Sequence, residues 1–250
     1  MSELLKIDSL HKYKEEMKKI TPELFQKIIY SCSNIQDQKI YYVSFNGGKD
    51  CLAAYLILKY YLFCNENNLN YSDIESLNKF ANNKNNFFSY LNKVVFLYFI
   101  NDKHFESEED YVIKFAKKEQ IKIYYCYSSY EEGLNYLLNR FSINKIIMGT
   151  RNNDIKNTQI INEISNTLLQ KSTKPFPEFD RFYLVFNFSY NEIWRIILFL
   201  NSDYLDLYDK GYSSIGDRYN TKINQYLFIN NREIFPAWCL LNNDSERAFR

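Results

Sequence analysis

Asn46-Gly47-Gly48-Lys49-Asp50 is the stretch of this 250-residue chain whose residue types and spacing best suit chemistry. Adjacent glycines let backbone N–H groups come close to a polyphosphate, a helix starting just after them adds partial positive charge, and Lys49 adds a full one. Asp50 is suited either to capping that helix or to holding Mg2+. The plainer alternative is a strand-to-helix turn whose glycines only permit tight geometry. Neither the Walker A spacing G-x-x-x-x-G-K-[ST] nor the dinucleotide fingerprint G-x-G-x-x-G is present.

Two other groups of residues carry charge in patterns that suit anions. Met148-Gly149-Thr150-Arg151-Asn152-Asn153-Asp154 places a planar guanidinium fork for phosphate or carboxylate three residues before a carboxylate able to accept from a ring N–H or ligate a metal. An ordinary loop with a surface ion pair is the alternative. Arg247 and Arg250 are three apart and share a face if the tail is helical; otherwise they belong to a solvated charged tail. Cys51 adjoins the glycine turn but has no basic partner to make it a nucleophile. His104 reads as a ribose or loop contact rather than a base.

The elements that must position these residues follow from apolar patterning. Residues 39–45 read as a short β-rich strand running into the glycine turn, and 51–63 as a long apolar helix after it. The unit repeats: strand 93–100 and helix 107–119, with Ser107 and Asp110 suited to its first turn; strand 121–127 and helix 130–140, with the capping box Ser129-x-x-Glu132; then strand 145–148. Alternating strands and helices, several strands apolar on both faces, predict an α/β fold with a parallel sheet covered by helices. Ligands in such sheets sit beyond the carboxyl ends of the strands, so the turns 44–50, 100–104 and 149–154 are expected to converge.

The rest of the chain is less regular. Residues 65–92 are rich in Asn and poor in apolar residues apart from Phe87-Phe88 and a few leucines, and read as an insertion or mobile loop. Residues 1–36 form an N-terminal helical segment, 37–200 the core, irregular after Asp154 until the helix 190–200, and 201–250 a loop-rich C-terminal extension expected to contribute to the active site. The expectation is a single α/β domain over 1–250. With 31 Lys+Arg against 30 Asp+Glu the net charge is +1, so no overall field favours nucleic acid or an anionic membrane. Five scattered cysteines without a C-x-x-C pair argue against a disulfide framework or a zinc ribbon. Met1-Ser2-Glu3 leads to the charged run His11-Lys12-Tyr13-Lys14-Glu15-Glu16 rather than to a signal-peptide core, and no stretch reaches membrane-spanning length. These features predict a cytoplasmic address.

Three further stretches bear on the activity: Leu207-Tyr208-Asp209-Lys210-Gly211-Tyr212-Ser213-Ser214-Ile215-Gly216, Pro236-Ala237-Trp238, and Asn243-Asp244-Ser245-Glu246-Arg247-Ala248-Phe249-Arg250. With the glycine turn and the Gly149 to Asp154 stretch, they resemble the eukaryotic-type FAD synthase (FMN adenylyltransferase) family of the PAPS reductase-like PP-loop fold. The matches stand in the same order and span residues 44–250. The resemblance implies a nucleotidyltransferase of FAD biosynthesis: the phosphate of FMN attacks the α-phosphorus of ATP, giving FAD and pyrophosphate with Mg2+. It implies catalytic roles for Asn46, Asp50, Asp154 and Arg247. ATP would be held by Ser44, Phe45, Asn46, Gly47, Gly48, Lys49, Asp50 and Ile100, with Asp50 on the metal. FMN would be held by Gly149, Arg151, Asp154, Ser213, Ser214, Arg247 and Arg250.

The chemistry suits a chain with two histidines, because a phosphate nucleophile is already an anion and catalysis rests on positioning and charge neutralisation. Departures from the family pattern are Asn153 for threonine, Ile155 for the proline after Asp154, a change that would loosen the loop, and Phe249 for the glycine in the tail, where it would narrow the space between the arginines or stack on a ring. The alternatives are another PP-loop enzyme, PAPS reductase-like or adenylyl-activating, and a nucleotide- or flavin-binding module without turnover. The first lacks its Glu-Cys-Gly-x-His or C-x-x-C motifs here; the second is disfavoured by the presence of Lys49 and Asp50. Protein partners are left open.

Overall fold

The computed structural model describes residues 7–83, 89–229 and 233–250. The start Met1-Ser2-Glu3 and the pair Phe87-Phe88 lie outside these residues. Two N-terminal helices, α1 (Ile7–Met17) and α2 (Pro22–Ser33), precede β1 (Tyr41–Ser44). Thr21 caps α2 by accepting the Leu24 N–H, and Pro22 occupies its first position, where no N–H is needed. There follow α3 (Lys49–Glu66), α4 (Ile74–Asn82), β2 (Val94–Phe99), α5 (Glu106–Glu119), β3 (Lys122–Cys126), α6 (Tyr130–Phe141) and β4 (Lys145–Ile147). Last come α7 (Thr158–Thr167), β5 (Leu169–Lys171), β6 (Asp180–Phe182) and α8 (Tyr190–Phe199), then a tail of turns and single 3-10 turns.

The six strands form one sheet in the order β3-β2-β1-β4-β6-β5, parallel throughout except for β5 against β6. From β1 the chain moves outward to β2 and β3, then crosses back to lay β4 on the other side of β1. That reversal opens a crevice at the carboxyl ends of β1, β2 and β4, the place where open α/β sheets bind ligands.

Helix α3, which leads from this crevice, is buried at every residue from Cys51 to Cys64. A helix apolar on all sides must be covered on all sides. The sheet covers one face, and α2, α4 and α8 pack on the others. Phe45, at the end of β1, stacks on Phe96 of β2 at 4.2 Å and on Phe115 of α5 at 5.4 Å, fixing the entrance to the glycine turn from below.

Most predicted elements are found within one or two residues of their expected ends, and the box Ser129/Glu132 closes α6 as expected, with the Glu132 N–H on Ser129 Oγ at 3.3 Å. Two readings are corrected. The segment 65–92 contains α4, whose Leu77 and Phe80 enter the core and pack against α3; two apolar anchors between Asn-rich turns suffice for this. Ser107 falls in the first turn of α5, as expected. The helix starts one residue earlier, and the Glu108 carboxylate turns back to accept the Phe105 N–H at 2.8 Å. The stretch after Asp154 is not irregular but holds α7 and the β5/β6 pair, strands of three residues each, too short to show periodicity.

Candidate active site

A cleft of about 610 Å³ opens at the crevice, lined by the three turns expected to meet there: Ser44 to Cys51, Ile100 to His104, and Met148 to Asp154. The tail closes it with Tyr208, Ser214, Ile215, Arg247 and Arg250. A fourth turn, Ser128-Ser129-Tyr130 after β3, also lines it and was not foreseen, although it lies at the end of a strand pointing the same way.

The glycine turn is built for close approach. Gly47 has φ +83°, and a Cβ there would stand 2.9 Å from the Tyr111 ring. The Asn46 side chain accepts the Gly48 N–H at 3.1 Å and faces the Cys51 thiol at the same distance, so its acceptor end is spent on holding the loop. Gly48 is the N-cap of α3, with no side-chain cap; Asp50 does not perform that role. The Lys49 N–H donates to the Tyr208 hydroxyl at 2.8 Å, which seats a tail residue directly on the helix start. Gly149 brings β4 against the same turn: a Cβ there would lie 2.4 Å from the Cys51 backbone nitrogen.

Lys49 is 2% exposed. Its ammonium is bonded to Glu246, 3.1 Å from Asp50 Oδ2 and 5.1 Å above the Tyr190 ring, although the residue borders the cleft. Arg151 is fully buried between Glu246, which its Nη2 contacts, and Asp50, whose Oδ1 lies 2.9 Å from Nε. That second N–H is not aimed at the oxygen, which leaves Arg151 Nε and Asp50 Oδ1 as buried polar atoms without a hydrogen bond. Burial alone would lower the Arg151 pKa, but Asp50 and Glu246 reverse this and raise it. Burial alone would raise the Glu246 carboxyl, and Lys49 and Arg151 instead hold it well below the usual carboxylate range.

The rim is more open. Arg247 Nη2 pairs with Asp154 Oδ1 while Asp154 Oδ2 accepts the Arg151 N–H at 2.8 Å, closing the 3-10 turn Asn152–Asp154. Arg250 donates to Ser214 Oγ at 3.0 Å and has no carboxylate within 4.0 Å among the described residues. His104 lines the cleft, faces Tyr98 and Asn101 through its ring nitrogens, and has its pKa lowered by burial.

The structure therefore sorts the expected site residues. Ser44, Asn46, Gly48, Lys49, Asp50, Ile100, Gly149, Asp154, Ser214, Arg247 and Arg250 line the cleft, whereas Gly47 and Arg151 do not. Phe45 borders it only through its backbone, its ring being in the aromatic stack, and Ile100 has already given its N–H to the Cys126 carbonyl. Ser213 does not reach the cleft: its hydroxyl donates to the Glu246 carbonyl at 2.7 Å and accepts from Asn224 at 2.8 Å. Ile155 does not loosen its loop, because its N–H closes the turn onto Asn152 at 3.0 Å, a bond proline could not make. Phe249 stays out of the cleft and packs edge-on against Tyr226. Glu246 and Tyr208 were not singled out; a carboxylate in a charged tail gives no sequence signal of burial.

Among the described residues no group of three or more His, Cys, Asp or Glu is placed to hold a metal alone. Mg2+ needs less, binding through one or two carboxylates together with substrate phosphates and water. Asp50 and Asp154 both line the cleft, and although an arginine faces the Oδ1 of each, Arg151 for Asp50 and Arg247 for Asp154, their carboxylate chemistry fits such an ion. Cys51 is buried, its thiol pushed up to about 12. All five cysteines are buried and unpaired. No helix among the described residues is long and apolar enough to cross a membrane.

A family model described as the phosphoadenosine phosphosulfate reductase domain matches residues 40–223. A probable FAD synthase of Schizosaccharomyces pombe is 28% identical over 224 residues, covering 89% of this chain and 76% of the relative. A probable FAD synthase of Caenorhabditis elegans is 27% identical over 213 residues, covering 83% of this chain but only 36% of that longer protein. Among solved structures, yeast FAD synthetase in complex with FAD superposes with a TM-score of 0.68 at 18% identity, over 97% of both chains. The Candida glabrata FMN adenylyltransferase in complex with FAD and inorganic pyrophosphate gives 0.68 at 16%, over 96% of both. At such identities these two show a common fold, and it includes the tail that lies beyond the matched family model. On the extent of that model match, the chain belongs to the phosphoadenosine phosphosulfate reductase domain family.

Proposed function

We propose that this chain is an FMN adenylyltransferase, an FAD synthase: it transfers AMP from ATP to the phosphate of FMN, forming FAD and pyrophosphate. The observation that carries the reading is the meeting, in one cleft, of the glycine turn at the start of α3 with the paired Asp154 and Arg247 and the carboxylate-free Arg250. The relatives named FAD synthase share most of this chain's length with it.

In this reading the glycine turn cradles the ATP phosphates with backbone N–H groups, and Asn46 holds the turn's shape. An oxygen of the FMN phosphate attacks the α-phosphorus, a new P–O bond forms, and the bond to the β-phosphate oxygen breaks as pyrophosphate leaves. Two phosphate groups repel on approach, so Arg247 and Arg250 at the rim neutralise charge that grows in the transition state. Asp50 and Asp154 would hold Mg2+, which when bound would supply charge to screen the phosphates. Asp154 and the Arg151 turn orient the flavin end, and His104 with Ile100 borders the nucleoside. A cytoplasmic address belongs to the same reading, supported by five buried, unpaired thiols.

A reductase of the same family would require an accessible thiol, and burial of all five cysteines disfavours it. The test is incubation of purified chain with ATP, Mg2+ and FMN, with riboflavin and metal-free controls. FAD and pyrophosphate appearing together, from FMN and only with the metal, is the expected outcome; riboflavin consumed in place of FMN, or no FAD from folded protein that binds ATP, would overturn the assignment.

A further inference from the structure

Four charged groups meet at the cleft wall and behind it: Lys49 and Arg151, Asp50 and Glu246. Their formal charges cancel, two against two. Lys49, Arg151 and Glu246 are each at most 3% exposed, and Glu246 is the only member contributed by the tail. Its carboxylate splits between the others, Oε1 on Lys49 Nζ and Oε2 on Arg151 Nη2. The next residue is Arg247 on Asp154, and three further on Arg250 reaches Ser214, so the two rim arginines hang directly from this anchor. Other attachments of the tail nearby are uncharged, among them the hydrogen bonds of Ser213 to the Glu246 carbonyl, Asn224 to the Ser245 carbonyl and the Lys222 N–H to the Phe249 carbonyl.

We propose that Glu246 is a positioning residue for adenylyl transfer, and that Lys49 serves as its buried counter-ion instead of as a phosphate ligand. The proposal rests on the adenylyltransferase reading for its kinetic part, but its structural part does not. A charge buried in low dielectric holds its partner firmly, and removing one member leaves the other uncompensated. Glu246 thereby converts two buried cations beside the cleft into the fixed point that sets where Arg247 and Arg250 stand. Ground-state binding of ATP and FMN needs this register less than the transition state does, so its loss falls on kcat more than on KM.

The experiment compares Glu246→Gln, Lys49→Met and the charge-balanced double variant Lys49→Met/Glu246→Gln in the full chain. Two readouts are taken: FAD formation, with kcat and KM separated, and the rate of trypsin cleavage after Arg247, followed by mass, which reports how often the tail opens. Glu246→Gln is expected to lower kcat by about 10² while KM for each substrate stays within about threefold, and to speed cleavage by about tenfold or more. The double variant restores near wild-type cleavage and recovers about tenfold of the lost kcat, because the net charge of the cluster returns to zero. Glu246→Gln cleaved at the wild-type rate, or a folded double variant cleaved as fast as Glu246→Gln, would overturn the anchor. Should Glu246→Gln fail to fold, rescue decides the same point: a double variant that folds and is cleaved slowly shows that the loss was an uncompensated charge and upholds the anchor, whereas one that is cleaved fast ends it. If the wild-type chain makes no FAD at all, the functional reading fails while the cleavage arm still decides the anchor.

Discussion

The buried cluster of Lys49, Asp50, Arg151 and Glu246 and the open rim of Asp154, Arg247, Ser214 and Arg250 are built from the same kinds of side chain, yet they do different work. In the cluster, three of four charged groups are shut off from water and each cation has two carboxylate neighbours. At the rim, Arg247 and Asp154 are 37% and 20% exposed as side chains, and Arg250 bonds a hydroxyl. Burial raises the energetic stakes of a charge and fixes it; partial exposure lets it exchange one partner for another. A site that must bring two phosphates together needs both: a rigid scaffold to set distances, and cations free to turn from a protein carboxylate to a substrate oxygen.

If this division holds, variants of the two regions separate stability from rate. The largest effect is expected for Arg151→Met, which leaves Asp50 and Glu246 with Lys49 as the only cation between them and should cost about 3–5 kcal/mol of stability in urea titration; a midpoint within error of wild type would erase the distinction. Asp154→Asn keeps the acceptor for the Arg151 N–H, so its stability should change by about 1 kcal/mol or less while transfer falls by about 10²–10³, roughly 2.7–4 kcal/mol. Arg247→Ala should lower kcat by about 10², and a loss below about threefold would assign the arginine to solvent instead.

The smallest effect concerns Glu108, behind the rim. Burial raises its carboxyl to about 7, opposed by its bond to the Phe105 N–H and by Arg250. Because the folded-state pKa lies above the unfolded one, its contribution is fully present below pH 4.5 and is lost as pH rises through about 7. Wild type should lose at most about 3 kcal/mol across that window, and Glu108→Gln should flatten the slope; an unchanged slope would place its origin elsewhere.

The difference between cluster and rim also marks where the sequence is legible. The strand, glycine turn and long apolar helix could be read directly, since residues 51–63 admit few polar positions and the turn residues have strong conformational preferences. Convergence of the turns after β1, β2 and β4 followed from parallel topology. The tail's place at the cleft came from the resemblance of its motifs to a family; nothing in its periodicity announces it. The buried pairing of Lys49 was not legible, because a lysine beside glycines has the same appearance whether it faces a phosphate or a carboxylate nearly two hundred residues away in sequence. Ser213 and Ser214 are adjacent and identical, yet one bonds the Glu246 carbonyl and the other faces the cleft, a choice set by tertiary packing alone. The short strands β5 and β6 were missed for a related reason: three residues pair because Leu168 and Phe182 bury beneath them, not because of any alternation.

The central claim is attack at the α-phosphorus, and the fate of the phosphates tests it most directly. Purified chain would be given FMN, Mg2+ and ATP labelled with 32P at either the α or the γ position, and the products separated. The account predicts α-label in FAD and γ-label in pyrophosphate, in step with FMN consumed. Label from the γ position entering a flavin product, or α-label recovered in ADP, would contradict it.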